Sequence, residues 1–279
     1  STQSEVNSAI VRQAAEQEFG CTVKRYRGRG CHQLLISGNG NRWHPAGANK
    51  WLRELGIFGL RSQEKRVPEG AFRLSNRQVG LLLQHLWATD GTIHCRSGGS
   101  NVIQYSTNSP QLADDVALLL QRLGIIARIR RTQKGSYRPG FLVIVSGAEM
   151  QREFLARVGA FGPRVAQAEA LEASLQGTVS NTNVDTLPVE VVRWAKERMW
   201  ALGVSQRAMV GMRGTSYGGS SHFRFAPSRD TLAEYAELLD DDVLRRASSN
   251  DIFWDRIVEI QPAGIEEVFD LTVPEQANW

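Results

Sequence analysis

Val79-Gly80-Leu81-Leu82-Leu83-Gln84-His85-Leu86-Trp87-Ala88-Thr89-Asp90-Gly91-Thr92-Ile93 decides how the rest of the chain is read. Val79, Leu82, Leu83 and Leu86 recur at i, i+3, i+4 and i+7, one stripe of an α-helix. Gly91 marks the stop, where the chain turns toward β-branched residues. Asp90 is then the one acid at the C-terminal tip of an apolar helix. The helix dipole is negative there, and a cation beside the carboxylate would resolve the conflict. Two readings stand on this stretch alone: a solvated aspartate before a glycine cap, or an acid placed to hold a cation.

The N-terminal half repeats itself, which makes that helix one of a pair. Ser1-Thr2-Gln3-Ser4 is matched by Ser106-Thr107-Asn108-Ser109. Each is followed by a helical stretch, Val6 to Phe19 and Gln111 to Leu123, ending at Gly20 and Gly124. Each then enters a short basic strand, Cys21-Thr22-Val23-Lys24-Arg25-Tyr26-Arg27 and Ile125-Ile126-Ala127-Arg128-Ile129-Arg130-Arg131. After a turn comes a second strand, Gln33 to Gly38 and Phe141 to Gly147. The closing helices end alike, at Leu55-Gly56-Ile57-Phe58-Gly59 and Val158-Gly159-Ala160-Phe161-Gly162. A spacing close to 104 residues describes a duplicated half-domain, not a solenoid of three or more units. Copy two opens with the acidic helix and a hairpin from Ile93 to Tyr105. A matching acidic helix is expected ahead of Ser1, and a pseudo-twofold would bring the two carboxylates together.

Charge follows the same division. Residues 1–150 hold 20 Lys and Arg against 10 Asp and Glu, whereas residues 151–279 hold 13 against 19. A basic half points to a polyanion partner, with nucleic acid the first candidate. Arg25, Arg27 and Arg29 recur at period two, as do Arg128 and Arg130, so they are expected on the outer face of their strands. That row is either a basic surface for phosphates or a solvated strand face. Lys134 and Arg138 fall in the turn after the second basic strand. Between the copies, Ser62-Gln63-Glu64-Lys65-Arg66-Val67-Pro68 reads as a charged connector, its cations on a phosphate or in water.

Val165 to Leu175 reads as a helix, followed by a polar linker through Asn183. From Leu187 the chain is helical again, with Ser205 as N-cap of a short helix opening Gln206-Arg207. Ser228 precedes a last helix with Leu232, Tyr235, Ala236 and Leu239 on one face. These short helices are either a helix-turn-helix-like DNA module or a plain helical subdomain. The tail, Phe253 to Ile260 and Glu267 to Val273, has β character. No run of 18 apolar residues is present, so no membrane-spanning segment is expected. Cys21, Cys31 and Cys95 are odd in number and read as free thiols of a cytoplasmic protein. His85, His94 and Cys95 match no zinc spacing.

Leu83 to Gly91 resembles the motif of the LAGLIDADG homing endonucleases, and the duplicated unit resembles their monomeric, pseudo-symmetric form. Val268-Phe269-Asp270-Leu271-Thr272-Val273 with Asn278-Trp279 is similar to a late block of inteins. Lys65-Arg66-Val67-Pro68 and Phe161-Gly162 resemble intein endonuclease domains, notably those in bacterial replicative-helicase inteins. The chain departs from the pattern at His85, where the family has glycine, and at Ala277, where inteins have histidine. The resemblance implies an α+β LAGLIDADG fold, a pseudo-twofold αββαββα repeat with its first copy truncated. Residues 1–162 would form the endonuclease core (copy one 1–60, copy two 77–162), with a helix and linker at 163–186. A helix-turn-helix-like subdomain would follow at 187–245, and a C-terminal β segment of a Hint splicing domain at 252–279.

The same resemblance implies site-specific, metal-dependent hydrolysis of duplex DNA within a protein-splicing element, with activity in doubt when one acid is missing. Asp90 would ligate Mg²⁺ or another divalent cation with the Gly91 carbonyl nearby, and Lys134 would sit near the scissile phosphate. Lys24, Arg25, Arg27, Arg29, Lys65, Arg66, Arg128, Arg130, Arg131, Arg138 and Arg207 would contact DNA. Gln33, Gln104 and Tyr105 would read base edges. Partners would be duplex DNA and the host exteins, with a replicative helicase as the candidate host, and the complete protein would be a monomer. The alternative is a non-catalytic DNA-binding regulator that combines a LAGLIDADG-like fold with a helix-turn-helix.

Overall fold

The computed structural model describes residues 3–28, 30–95, 101–178, 185–216, 223–250, 252–255, 257, 259–262 and 264–268. Two compact units divide at Val184 and Asp185. No helix among the described residues is long and apolar enough to cross a membrane.

The first unit carries the repeat. Copy one runs α1 (Glu5–Gln17), β1 (Thr22–Arg27), β2 (His32–Ser37) and α2 (Gly47–Glu54). Copy two repeats that order as α4 (Pro110–Arg122), β5 (Ala127–Thr132), β6 (Gly140–Val145) and α5 (Ala148–Arg157). Ahead of it lie α3 (Asn76–Asp90), β3 (Gly91–His94) and β4 (Val102–Thr107). The matched serines explain one part of the repeat: Ser4 accepts from the Asn7 amide and Ser109 from the Leu112 amide, each capping the helix that follows.

β1 and β2 form a two-stranded antiparallel ribbon, whereas copy two builds a four-stranded antiparallel sheet in the order β3-β4-β6-β5. The cores differ in the same sense. Copy one buries Ala15, Cys21 and Val23, with Phe19, Leu34, Ile36 and Ala48 packed around them. Copy two buries Val79, Leu83 and Trp87 of α3 against Ile103, Tyr105, Val143, Leu119 and Phe154. α6 (Val165–Leu175) does not stand apart as a linker helix. It seals this core through Ala168, Leu171 and Leu175.

The connector is fastened to copy two. The Val67 amide donates to Asp115 Oδ2 at 2.8 Å, and Ser109 Oγ donates to the Lys65 carbonyl at 2.5 Å.

The second unit packs α7 (Val189–Ala201), α8 (Gln206–Met212), α9 (Arg229–Leu238) and α10 (Asp242–Ser249) around Leu187, Ala195, Met199, Met209, Ala236 and Leu244. Ser205 and Ser228 cap α8 and α9, as their positions imply. α10 exceeds the expectation, because Asp241 caps one more helix with its carboxylate. The expected β tail is not borne out where it is described: residues 252–255, 257, 259–262 and 264–268 form no strand. An isolated strand lacks the ladder that would satisfy its backbone. Residues 269–279, including most of the intein-like block, lie outside the described residues.

Candidate acidic tip and nucleic-acid face

α3 is built to present its last residue. Ser75 and Gln78 form a reciprocal capping box at its start. Val79, Leu83 and Trp87 are fully buried, a stripe turned slightly from the expected one, with Leu82 and Leu86 only half covered. Asp90 ends the helix and is exposed.

The carbonyls of the last turn are met from several directions. Trp87 O accepts from the Gly91 amide, and Arg164 Nε reaches it at 3.5 Å. Ala88 O accepts from Asn7 Nδ2 at 3.0 Å. The guanidinium of Arg164 supplies the positive charge that this helix end calls for. Arg164 lines one cavity of about 800 Å³ together with Asp90, Thr89, Asn7, Cys31 and Leu34. Sequence reading missed Arg164 and Asn7. The signal was the acid itself, which demands a cation from elsewhere in the chain.

Gly91 is the C-cap of α3, as its position suggested, but it does not take the left-handed conformation. Its φ of −88° and ψ of 159° are extended, and it starts β3. A Cβ there would come within 2.4 Å of Trp87 Cδ1 and 2.5 Å of Trp87 Cα, so the glycine answers to the close approach of residue 87, backbone and ring alike.

Tyr105 is a correction. It is 2% exposed, with its ring centre 5.3 Å from that of Trp87, and it belongs to the core rather than to a base-reading surface. Burial, and secondarily the charge of Asp90, pushes its phenol above the ordinary tyrosine range. Alternation along β4 places Tyr105 inward and Gln104 outward.

The strand arginines divide in the same way. On β5, Ala127 and Ile129 face the helices, and Arg131 shares their parity. Arg128 and Arg130 point to the open side, in register with Ile144 and Leu142 of β6. On β1, buried Val23 sets the parity, so Arg25 and Arg27 lie on the helix side and Lys24 and Tyr26 on the open side. Arg25 and Arg27 share a face, as expected, but it is the helix side and not the outer one. Arg25 donates to Glu5 Oε2 of α1 at 2.7 Å, and the hydrogen bond holds that carboxyl below its ordinary range. The open face of copy one is thus Lys24, Tyr26, Gln33 and Leu35. Tyr26 went unrecognised, although aligning the repeat sets it opposite Arg130.

Of the remaining candidates, Lys134 is exposed in the β5–β6 turn. Gly91, Thr107, Gly140 and Thr132 all lie at one end of the sheet, so that turn shares the end to which α3 delivers Asp90. The two are separated by three strand spacings, roughly 14 Å. Arg138 in the same turn is tied to Gln63 at 2.5 Å, and Arg66 donates to the Gly56 carbonyl at 3.1 Å. Lys65 is exposed, as is Arg207 at the start of α8. Arg29 lies outside the described residues.

Residues 77–159 match the family model described as a LAGLIDADG-like domain. Over 234 residues, 82% of its length, the chain is 42% identical to the replicative DNA helicase DnaB of Rhodothermus marinus, where the match covers 25% of that protein. Over 249 residues it is 26% identical to protein RecA of Mycobacterium tuberculosis, covering 80% of this chain and 31% of that one. The chain therefore spans between a quarter and a third of the length of these curated relatives. Among solved structures, I-DmoI in complex with DNA and Mn aligns over 56% of this chain and 73% of that one, with a TM-score of 0.38 and 11% identity. In their helix–hairpin–helix–hairpin order and acidic helix tip, residues 77–159 are similar to the LAGLIDADG-like domains.

Proposed function

We propose that the chain is the DNA-cleaving domain of a mobile protein-splicing element, a site-specific endonuclease for duplex DNA. The observation that carries the reading is one end of one sheet. There α3 presents an exposed Asp90, while the open face of the same sheet displays Gln104, Arg128 and Arg130. Arginines on that face suit phosphates and guanine edges, and Gln104 suits an adenine edge. Lys24 and Gln33 extend a like surface in copy one. The insertion context is supported by matches to two differently named proteins, each over a minor part of its length. A replicative-helicase host and the cytoplasm follow from that context as proposals.

A divalent cation fits the donors at the tip. They are all oxygen: the Asp90 carboxylate, the Gly91 carbonyl, and Asn7, whose Oδ1 is buried without a partner in the wall of the same cavity. Among the described residues no three His, Cys, Asp or Glu cluster, so the protein offers a partial shell, not a cage. Mg²⁺ tolerates that, because it keeps waters and takes phosphate oxygens. Bound, it would lower the pKa of water and neutralise charge on the leaving oxygen. The chain's own part is to aim Asp90, with Arg164 and Asn7 holding the last turn of α3, and to seat the phosphates with Arg128 and Arg130. A second acidic helix packed beside α3 would complete the pair, as the repeat implies.

The test is cleavage of the uninterrupted host gene by the intact precursor protein with Mg²⁺. Asp90→Asn should lose cutting by at least about 100-fold while retaining affinity. Normal cutting by that variant would remove Asp90 from the chemistry. A non-catalytic DNA-binding regulator is the second reading, favoured by the tip cavity, where Asp90 is the one carboxylate among the described lining residues. DNA binding with no cutting by the full precursor would select it.

A further inference from the structure

The two copies also differ where the second strand hands over to the next helix. In copy two β6 ends at Val145 and α5 begins at Ala148. In copy one β2 ends at Ser37 and α2 begins at Gly47, leaving Gly38–Ala46 between them. This added loop is stitched along its length. Asn39 Nδ2 donates to the Ile36 carbonyl at 2.7 Å, and its Oδ1 accepts from the Asn49 amide at 3.2 Å. The Ala46 amide donates to the Asn39 carbonyl at 2.8 Å, and the Asn41 amide to the His44 carbonyl at 3.0 Å. Asn41 Oδ1 accepts from the amides of Trp43 and His44 at 2.9 and 2.8 Å. Gly40 takes φ +69°, and a Cβ there would lie 2.0 Å from the His44 carbonyl oxygen.

All this order displays an indole to solvent. Trp43 is 80% exposed at the loop tip, with the Arg42 guanidinium 5.5 Å from its ring centre. An ordered backbone that holds a large aromatic side chain in water has given up its conformational entropy before any partner arrives, which is the preorganisation of a binding surface. The surroundings name the partner. From Phe19 to Arg53 the sequence contains no Asp or Glu, while seven Lys and Arg fall within that span. An acid-free field suits a polyanion, and a guanidinium beside an exposed ring suits a phosphate beside a base or sugar.

We propose that the Arg42-Trp43 loop is a second foothold on duplex DNA, present in copy one alone. Arg42 takes a backbone phosphate and the Trp43 ring packs against a base or sugar beyond the tract covered by the strands. The proposal rests on the DNA-binding reading above and adds asymmetry to it: the protein grips one flank of its site more extensively than the other.

The experiment measures affinity of the full chain for a mixed-sequence duplex several helical turns long, across a salt series. Trp43→Ala should weaken binding about tenfold, and Trp43→Phe, which keeps a ring, less than about threefold. Arg42→Ala should lower the slope of log affinity against log salt by about one. Melting temperatures equal to that of the native chain would show that each variant folds. Arg128→Ala is the control. If it weakens binding while Trp43→Ala and Arg42→Ala do not, the loop proposal is overturned and the DNA-binding reading stands. No binding by the native chain overturns both. A change in oligomeric state without a change in DNA affinity overturns the proposal in favour of a protein contact.

Discussion

Copy one and copy two share a chain order and a cap, yet they are unequal as structures. Copy two closes its strands into a sheet of four with Trp87 packed between Tyr105 and Phe154, whose ring centres lie 5.3 and 4.9 Å from that of the tryptophan. Copy one has two strands and a core of three small buried residues. The difference separates roles that a repeated sequence makes look equivalent. Copy two carries the stability and the acidic tip, and copy one lends groups to that tip and a basic outer surface.

The largest expected effect follows from the cores. Phe154→Ala should cost about 3–5 kcal/mol, because it opens a void under Trp87. Val23→Ala in copy one should cost about 1–2 kcal/mol for the methyl groups removed. Denaturant unfolding of both variants checks this, with amide exchange as a finer measure: β1–β2 should exchange by local opening well before β4–β6. Equal losses in the two variants would mean that copy one holds more of the fold than its buried residues indicate.

Gly91→Ala comes next, at about 1–3 kcal/mol, because the new methyl must displace Trp87 or the strand start. The added methyl would also lie 2.5 Å from Trp87 Cα and Cγ, atoms that leucine keeps, so Trp87→Leu in the same chain should leave most of the penalty in place. Recovery of most of the lost stability in that double variant would assign the close approach to the indole alone. This is also where the limits of the sequence are plainest. The apolar stripe, the acid and the stop at residue 91 were all legible, since each is a local pattern. The reason for the glycine was not, because it lies in the distance between two groups four residues apart. Strand parity was lost for a similar cause. Three arginines at period two mark a face but do not say which, and only burial of Val23 decides it. Aligning β1 with β5 would have decided it from sequence, since Val23 falls on Ala127, Lys24 on Arg128 and Tyr26 on Arg130. Tyr105 beside Gln104 presents the same ambiguity of one residue, settled by the packing of Trp87.

Smaller effects test the faces. Arg128→Ala and Arg130→Ala should each reduce the salt slope of DNA binding by about one, since each leaves one phosphate without its guanidinium. Arg25→Ala should leave that slope unchanged, because its guanidinium is turned to Glu5. A slope that falls equally for Arg25 would restore the arginine row at period two as the DNA face of copy one.

The smallest effect belongs to Glu5→Gln, and it bears most directly on which side of β1 meets DNA. Arg25 holds the Glu5 carboxyl below its ordinary pKa of 4.5, chiefly through the hydrogen bond between them. A carboxyl lowered on folding contributes stability that is present above its unfolded pKa and fades as pH falls through the lower folded value. Protection of the β1–β2 amides should therefore differ slightly between the native chain and Glu5→Gln near neutral pH and converge in acid. Affinity for duplex DNA should not change, because the freed guanidinium still points to the helix side of the strand. A gain in affinity on freeing Arg25 would place DNA on that side, and the open face of Lys24, Tyr26 and Gln33 would lose its claim.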